Sequence, residues 1–302
     1  MSWIDMKITE ESSPVDIYWT EHTVADGAKL DSEQDSLTYL ANRFHQYPKF
    51  RELWSYEDVP EGGVALDYGC GPGNDIVALN LWAKPGKILG MDVSSAALAI
   101  AAKRVAFHGF KNVLLTRVGD LDPRPPLNAS SVDYLNCCGV IGHATYPERL
   151  LTNLATVLKP GARGRIMVYN SDSLYFHMNA AVGAIARGVS TEAFFSSYTD
   201  GPSCPYSRAY PVAVFMDMCK VAGLEAEFLG GFFNQLELNH KFYSSLLSEP
   251  YWPNSPKGRV AIPEEHVAFL KSVTYEEDRY PMLKDKYAGV FGVYRVVKSS
   301  EV

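Results

Sequence analysis

Apolar positions along this chain recur at two periods, and the alternation between them predicts its elements. In LDSEQDSLTYLANRFHQYPKF, residues Leu37, Leu40, Ala41 and Phe44 fall at helical spacing behind Ser32 and Asp35 in capping-box positions, which predicts a helix stopped by Pro48. GGVALDYG is a short continuous apolar run, the pattern of a buried strand, and NDIVALNLWA supplies the helix after it. The unit then repeats. GKILGMDVS predicts a second strand, and the Ala-rich SAALAIAAKRVAFHG a helix closed by Gly109. NVLLTRVGD and SVDYLNCCG are two further strands, PERLLTNLATVLKPGA is a helix ending before Pro160, and RGRIMVYN is a fifth strand. Strands alternating with helices of this length imply crossover units and a doubly wound α/β fold, its parallel sheet covered on both faces.

Beyond Asn170 the simple alternation fails. Residues 171–209, rich in aromatics, Ser and Gly, predict a partly helical insertion. PVAVFMDMCKVAGL resumes as a helix, and EAEFLGGFF and YAGVFGVYRVVK complete a set of seven strands. The expected organisation is a helical N-terminal extension over residues 1–60, a nucleotide-binding core over 61–170 and an insertion over 171–209. Residues 210–302 return to the sheet, with a second insertion at about 235–286.

Composition narrows the function. Acidic groups outnumber basic ones 35 to 28, and no stretch concentrates Lys and Arg, which argues against a nucleic-acid partner. The opening MSWIDMKITEESSP has neither a basic start nor an apolar core of signal-peptide length, and nothing later approaches the roughly 18 apolar residues of a membrane span. A cytoplasmic protein is expected, with no membrane partner. Five cysteines, an odd number without a disulfide-like framework, agree with a reducing compartment. No His, Cys and carboxylate cluster has metal-ligand spacing, so no metal is assigned.

The chemistry-bearing stretch is VALDYGCGPGNDIVAL, the first strand-to-helix turn of the sheet. Ligands in such sheets lie beyond the carboxyl ends of the strands, next to this turn. Gly69, Gly71 and Gly73 permit unusual torsions and let a ligand approach the main chain. A dinucleotide turn requires G-x-G-x-x-G, whereas the spacing here is G-x-G-x-G, with Pro72 lacking an N–H for phosphate and Asp67 repelling one. An acid at that strand end suits a ligand with an ammonium group, such as S-adenosylmethionine. Asp75 is read as a partner of the helix dipole.

LDYGCGPGND resembles motif I of the class I S-adenosylmethionine-dependent methyltransferases, small-molecule type, and the similarity runs in register over about residues 60–170. The resemblance implies a mostly parallel sheet with an antiparallel last strand and S-adenosylmethionine as cofactor. It places Asp67, Gly69, Cys70, Gly71 and Gly73 at the cofactor, Asp92 and Val93 of ILGMDVS at its ribose, and Asp120 and Leu121 of VGDLD at its adenine. Cys137 and Val140 of VDYLNCCGVIGH follow on the fourth strand, and LKPGARGRIMV matches the turn before the fifth. Arg43 is a candidate for the cofactor carboxylate, against a surface ion pair.

Methyl transfer asks the protein to align a nucleophile, exclude water and remove any proton on the attacking atom. A hydroxyl acceptor gains from a positioned base, and His143 in GVIGHATYPERL, after the fourth strand, is the first candidate; a helix-start histidine bonded to backbone is the alternative. Tyr146 is the second candidate. Tyr18 and Trp19, with His177, Tyr198, Tyr206, Arg208 and Tyr210 of the insertion, are candidates for the substrate pocket, and Asp200 hints at polar recognition. Residues 1 to about 30 and 171 to about 209 are expected to form the lid. The resulting expectation is a methyltransferase acting on a small molecule, at a hydroxyl oxygen, with N-methylation of a small amine as the alternative. A cofactor-binding protein without transferase activity and an NAD-linked oxidoreductase are weaker readings, and homo-oligomerisation is left open.

Overall fold

A computed structural model of the chain describes residues 4–5, 12–25, 27–255, 258–276 and 279–300. In chain order the elements begin with β1 (Ile4–Asp5), α1 (Pro14–Glu21), α2 (Glu33–Gln46) and α3 (Phe50–Leu53), followed by β2 (Val64–Tyr68), α4 (Asn74–Ala78), β3 (Lys87–Asp92), α5 (Ser95–Phe107) and β4 (Val113–Arg117). Next come β5 (Val132–Cys138), α6 (Pro147–Val157), β6 (Leu158–Asn170), α7 (Ala181–Arg187), α8 (Thr191–Tyr198), β7 (Ala209–Tyr210), α9 (Val212–Val221) and β8 (Leu224–Phe232). The chain finishes with α10 (His240–Ser248), β9 (Tyr251–Ser255), β10 (Gly258–Ala261), α11 (Glu264–Ser272), β11 (Thr274–Glu276), β12 (Tyr280–Leu283), β13 (Lys286–Tyr287) and β14 (Phe291–Lys298).

The main sheet runs β1-β4-β3-β2-β5-β6-β14-β8, with β7 added beside β6. Its seven central strands are those read from the apolar runs. All neighbours from β4 to β6 are parallel, and β14 is antiparallel to both β6 and β8, as expected of the last strand. Two-residue strands β1 and β7 extend the seven to nine; neither is long enough to leave a period in the sequence. The α6 helix ends at Val157, but β6 begins at once and carries Pro160 and Gly161 across an irregularity in its pairing with β5, so the fifth strand starts earlier than RGRIMVYN.

Burial explains why the strands read as unbroken apolar runs. Ala65, Leu66, Ile88, Tyr134, Leu135 and Ile166 are all fully buried, because α5, α6 and α9 cover the sheet's faces. The Leu and Ile side chains among them each gain about 1.5–3 kcal/mol on burial. The two insertions use a different core. Leu174, Met178 and Val182 pack with Tyr243, Leu246, Ile262 and Leu270, a cluster apart from the sheet's. No helix among the described residues is long and apolar enough to cross a membrane.

Candidate active site

A cavity of about 440 Å³ opens at the carboxyl ends of the parallel strands, lined by the loops after β2, β3, β4 and β5 and by the end of β6. Its floor is the glycine turn. Gly69, Gly71 and Gly73 adopt φ of 74°, 51° and 82°, and the N–H groups of Gly69 and Cys70 both donate to the Met91 carbonyl, at 2.7 and 2.9 Å. A Cβ on Gly69 would stand 2.1 Å from Val140 Cγ2, so the turn fits only without a side chain. On Gly71 a Cβ would meet only Val24 Cγ2, at 3.9 Å; the space it would enter belongs to the cavity wall.

Two acids stand at successive strand ends. Asp92 receives the N–H of Gly71 on Oδ2 at 2.7 Å and that of Ser94 on Oδ1 at 2.8 Å. Burial pushes its carboxyl pKa up, and these backbone donors partly offset the rise. Asp120 accepts from the Thr145 N–H at 2.9 Å through Oδ1, while its buried Oδ2 has no protein partner. An unpaired buried carboxylate oxygen is costly, and on the wall of a cavity it is poised for a ligand donor. The Asp120 N–H is itself held by Asp16 Oδ1 at 3.0 Å, and Asp16 belongs to the capping box of α1, so the N-terminal helix is tied to this strand end.

Cys70, Val93 and Val140 line the cavity beside these groups. Four residues expected at the cofactor do not: Asp67, Gly73, Leu121 and Cys137 lie off the lining. Asp67 is buried below the turn, its Oδ1 held by Asn136 Nδ2 at 2.8 Å and its Oδ2 without a partner. Burial, then the nearby Asp75 charge, pushes its carboxyl well above the usual range. Gly73 instead gives room to α5, where Ala101 Cβ would stand 3.2 Å from an added Cβ, and Cys137 is fully buried in the sheet core.

Arg43 does line the cavity, and its ion pair is not a surface one. Nη1 binds Asp75 Oδ2 at 2.7 Å and Nη2 donates to Cys138 Sγ at 3.1 Å. Asp75 also accepts from Trp54 Nε1 and the Tyr56 hydroxyl, at 3.0 and 2.6 Å, so it anchors α2 and α3 with its side chain as well as opening α4.

His143 sits at the rim of the loop after β5, buried and on the cavity wall. Its Nδ1 lies 2.6 Å from the Tyr206 carbonyl oxygen, an acceptor only, so Nδ1 carries the hydrogen and Nε2 holds the lone pair of the neutral ring. Trp19 meets the ring edge-on at 5.0 Å. Cys204 Sγ lies 4.0 Å from the same Nδ1, and a His143 ring nitrogen, this sulfur and an Asp200 oxygen all fall within 4.8 Å of one another, close enough to hold a metal ion; Cys204 also bonds the Tyr206 carbonyl, and Asp200 receives Tyr169 and Ser207.

The substrate candidates divide. Trp19 lines the cavity; Tyr18, Tyr198, Tyr206, Tyr210, His177 and Arg208 do not, and Tyr146 is exposed and off the wall. Tyr18 donates to the Asp200 carbonyl, Tyr198 stacks on Phe194 at the surface, and Tyr210 packs on Phe215. His177 bonds His266 of the second insertion. Arg208 donates to the carbonyls of Ala144, at 2.7 Å, and Gly142, so it braces the His143 loop, as the Tyr206 carbonyl braces the ring. Of the described parts of the expected lid, Val15, Trp19, Thr23 and Val24 reach the cavity from the N-terminal side, and from 171–209 only Asp200 does. Residues 1–3, 6–11 and 26 of that lid lie outside the described residues. Missed altogether were Tyr47, Phe50, Tyr169, Phe232 and Phe291, aromatic wall residues from four segments whose only sequence signal was an aromatic near the end of an element.

Comparison with known proteins bears on the domain and its fold. Residues 66–163 match the family model described as a methyltransferase domain. A ubiquinone biosynthesis O-methyltransferase of Marinobacter nauticus is 28% identical over 124 residues, 41% of this chain and 50% of its own length. A chain of the Haloferax volcanii complex between the Trm112 methyltransferase activator and a putative methyltransferase superposes with a TM-score of 0.55 at 15% identity, over 89% of this chain and 95% of that one. The phospholethanolamine N-methyltransferase 2 of Haemonchus contortus, solved with S-adenosylhomocysteine, reaches 0.53 at 16% identity, over 96% of this chain and 62% of that one. At such identities the structures show a shared fold. The chain spans 30%, 25% and 54% of the first three curated relatives it matches, so they share this domain rather than their whole length. Residues 66–163 thus carry a methyltransferase domain, and the chain shares the Rossmann-like α/β fold of the structures it superposes on.

Proposed function

We propose that this chain, built on that domain, is an S-adenosylmethionine-dependent methyltransferase that acts on a hydroxyl of a small-molecule acceptor in the cytoplasm. One observation carries the reading. Where a dinucleotide enzyme would cradle phosphate, the cavity is lined by three carboxylates, Asp75, Asp92 and Asp120, against the single guanidinium of Arg43. Such a field opposes a pyrophosphate and favours a cation.

When bound, S-adenosylmethionine supplies an electrophilic methyl on a cationic sulfonium, and it carries ribose hydroxyls and an adenine amino group but no phosphate. Asp92 suits the hydroxyls, because a carboxylate offers about four lone-pair sites and backbone N–H groups occupy two. The unpaired Oδ2 of Asp120 suits the amino group. Gly69 and Gly71 allow close approach to the main chain. Asp67 shapes the turn from below. Trp19, Val15 and Val24 exclude water from the N-terminal side.

His143 is the proposed base. The Tyr206 carbonyl fixes the hydrogen on Nδ1, leaving Nε2 to take the proton from an acceptor hydroxyl as its oxygen attacks. Calorimetry with S-adenosylhomocysteine and with NAD tests the cofactor, and tighter binding of NAD overturns it. A screen of small hydroxyl and amino acceptors with methyl-labelled cofactor tests the acceptor atom; label found only on nitrogen replaces the hydroxyl reading with N-methylation.

A further inference from the structure

The cavity wall formed by the end of α2, by α3 and by the ends of β6, β8 and β14 is a continuous run of rings. Phe50 stacks on Phe232 at 4.2 Å, Phe232 stacks on Phe291 at 4.6 Å, and Tyr47 meets Phe291 edge-on at 5.1 Å. Phe291 in turn lies 5.8 Å from Tyr169, and Tyr169 meets the His143 ring edge-on at 5.7 Å. One charged side chain borders this end of the run, Asp200. Oδ1 accepts from the Tyr169 hydroxyl at 2.7 Å and Oδ2 from Ser207 Oγ at 2.6 Å. Burial, then the Asp200 charge beside it, pushes the Tyr169 phenol well up, so it stays a neutral donor.

Two hydroxyls fix this carboxylate in place without neutralising it. The one Arg or Lys on the cavity wall among the described residues is Arg43, and it is committed to Asp75. A carboxylate or phosphate on the acceptor beside Asp200 would therefore meet like charge, since Arg43 lies over the Phe50 face at the other end of the run and is paired there with Asp75. An ammonium would gain an ion pair with Asp200, and the ring faces beside it are the surfaces that attract cations. We propose that the acceptor carries, besides its reacting hydroxyl, a protonated or quaternary amine held by Asp200 against the faces of Tyr169, Tyr47 and Phe291. This inference rests on the methyltransferase reading above, since it takes the cavity to be shared by cofactor and acceptor.

The test uses three phenols of similar size as probes on the full chain loaded with S-adenosylhomocysteine: tyramine, 4-ethylphenol and 4-hydroxyphenylacetate, titrated by calorimetry at pH 7. Tyramine should bind about tenfold more tightly than 4-ethylphenol, the gain of one ion pair with ring contact, and the acid most weakly. Asp200→Asn should bring tyramine to within a few-fold of 4-ethylphenol and leave S-adenosylhomocysteine affinity unchanged. An absence of saturable tyramine binding, equal binding of the three probes, or a preference that survives in the folded variant overturns the proposal. If the variant does not fold, the order of the probes on the unmodified protein decides. The two readings fail separately: S-adenosylhomocysteine bound with no preference for the amine sinks the Asp200 proposal alone, and no binding of S-adenosylhomocysteine sinks both.

Discussion

The floor and the wall of the cavity are held by different means. At the floor, between β2 and β5, main chain does the holding: N–H groups of Gly69, Cys70, Gly71, Ser94 and Thr145 are paired to a strand carbonyl or to Asp92 and Asp120. At the wall, side chains from α1, α2, α3, β6, residue 200, β8 and β14 meet each other, and backbone enters mainly as the Tyr206 carbonyl that orients His143. A floor made of main chain serves any ligand sharing one scaffold, whereas a wall made of side chains can change its specificity without disturbing the sheet. The comparison predicts that damage to the floor appears in stability and cofactor affinity, and that damage to the wall appears in chemistry.

The largest expected effect tests the wall. His143→Ala should lower the rate of methyl transfer to a hydroxyl by roughly 10²–10⁴-fold. Because the ring is not part of the floor, affinity for S-adenosylhomocysteine should stay within a few-fold. Single-turnover rates and calorimetry on the same preparation separate the two, and a rate within a few-fold of the unmodified protein removes the base from the reading.

Next in size is a break in the floor. Gly69→Ala forces a side chain into φ of 74° and into Val140 Cγ2, a combined cost of about 2–4 kcal/mol in unfolding free energy. Adding Val140→Ala should recover the steric share and leave the backbone share. Denaturant unfolding of the single and double variants measures both, and two variants of equal stability would show that the contact with Val140 is not what excludes a side chain.

Smaller still in its effect on the ligand is Asp92→Ala, which also takes the acceptor from the Gly71 and Ser94 N–H groups and so lowers stability as well. Loss of charged hydrogen bonds to the ribose should weaken S-adenosylhomocysteine by about 1.5–3 kcal/mol. Unchanged affinity in a folded variant would take Asp92 out of the floor's function.

The same division decides what was legible from the chain. The seven central strands and the glycine turn lie within short stretches that apolar runs and glycine spacing place, and the acids Asp92 and Asp120 follow from the resemblance to the methyltransferase motifs. The wall could not be read that way. Phe50, Phe232 and Phe291 are brought together by the antiparallel return of β14 beside β8, and no window of sequence contains that contact. Residue type alone points Arg208 and Tyr206 toward substrate, while in the fold the Arg208 guanidinium and the Tyr206 carbonyl bond the backbone and ring of the segment carrying His143. His177 was drawn toward the pocket by the same reasoning, and its partner, His266, lies 89 residues away in the second insertion.

That His177 pair gives the last and smallest prediction, and it separates the insertions from the sheet by pH. His177 Nδ1 and His266 Nδ1 are 2.9 Å apart, so one must donate and the other accept, and His266 Nε2 lies 3.0 Å from Thr191 Oγ1. The His177 ring stacks on Phe269 of α11 at 3.9 Å. Burial, then the His266 ring, pulls the His177 pKa down to about 4; burial also lowers that of His266, against the charges of Glu265 and Glu192. An unfolded histidine titrates near about 6.5. Between those values the unfolded chain binds more protons than the folded one, so stability from the neutral pair is complete above about pH 6.5 and is lost as pH falls toward 4. Amides of α7 and α11 should therefore lose hydrogen-exchange protection across that window before those of β2 and β3 do, once intrinsic exchange rates are corrected for pH. His177→Phe keeps a ring to stack on Phe269 and carries no proton, so its insertions should show a shallower slope. An equal slope in the variant would move the acid sensitivity from this pair to carboxylates elsewhere.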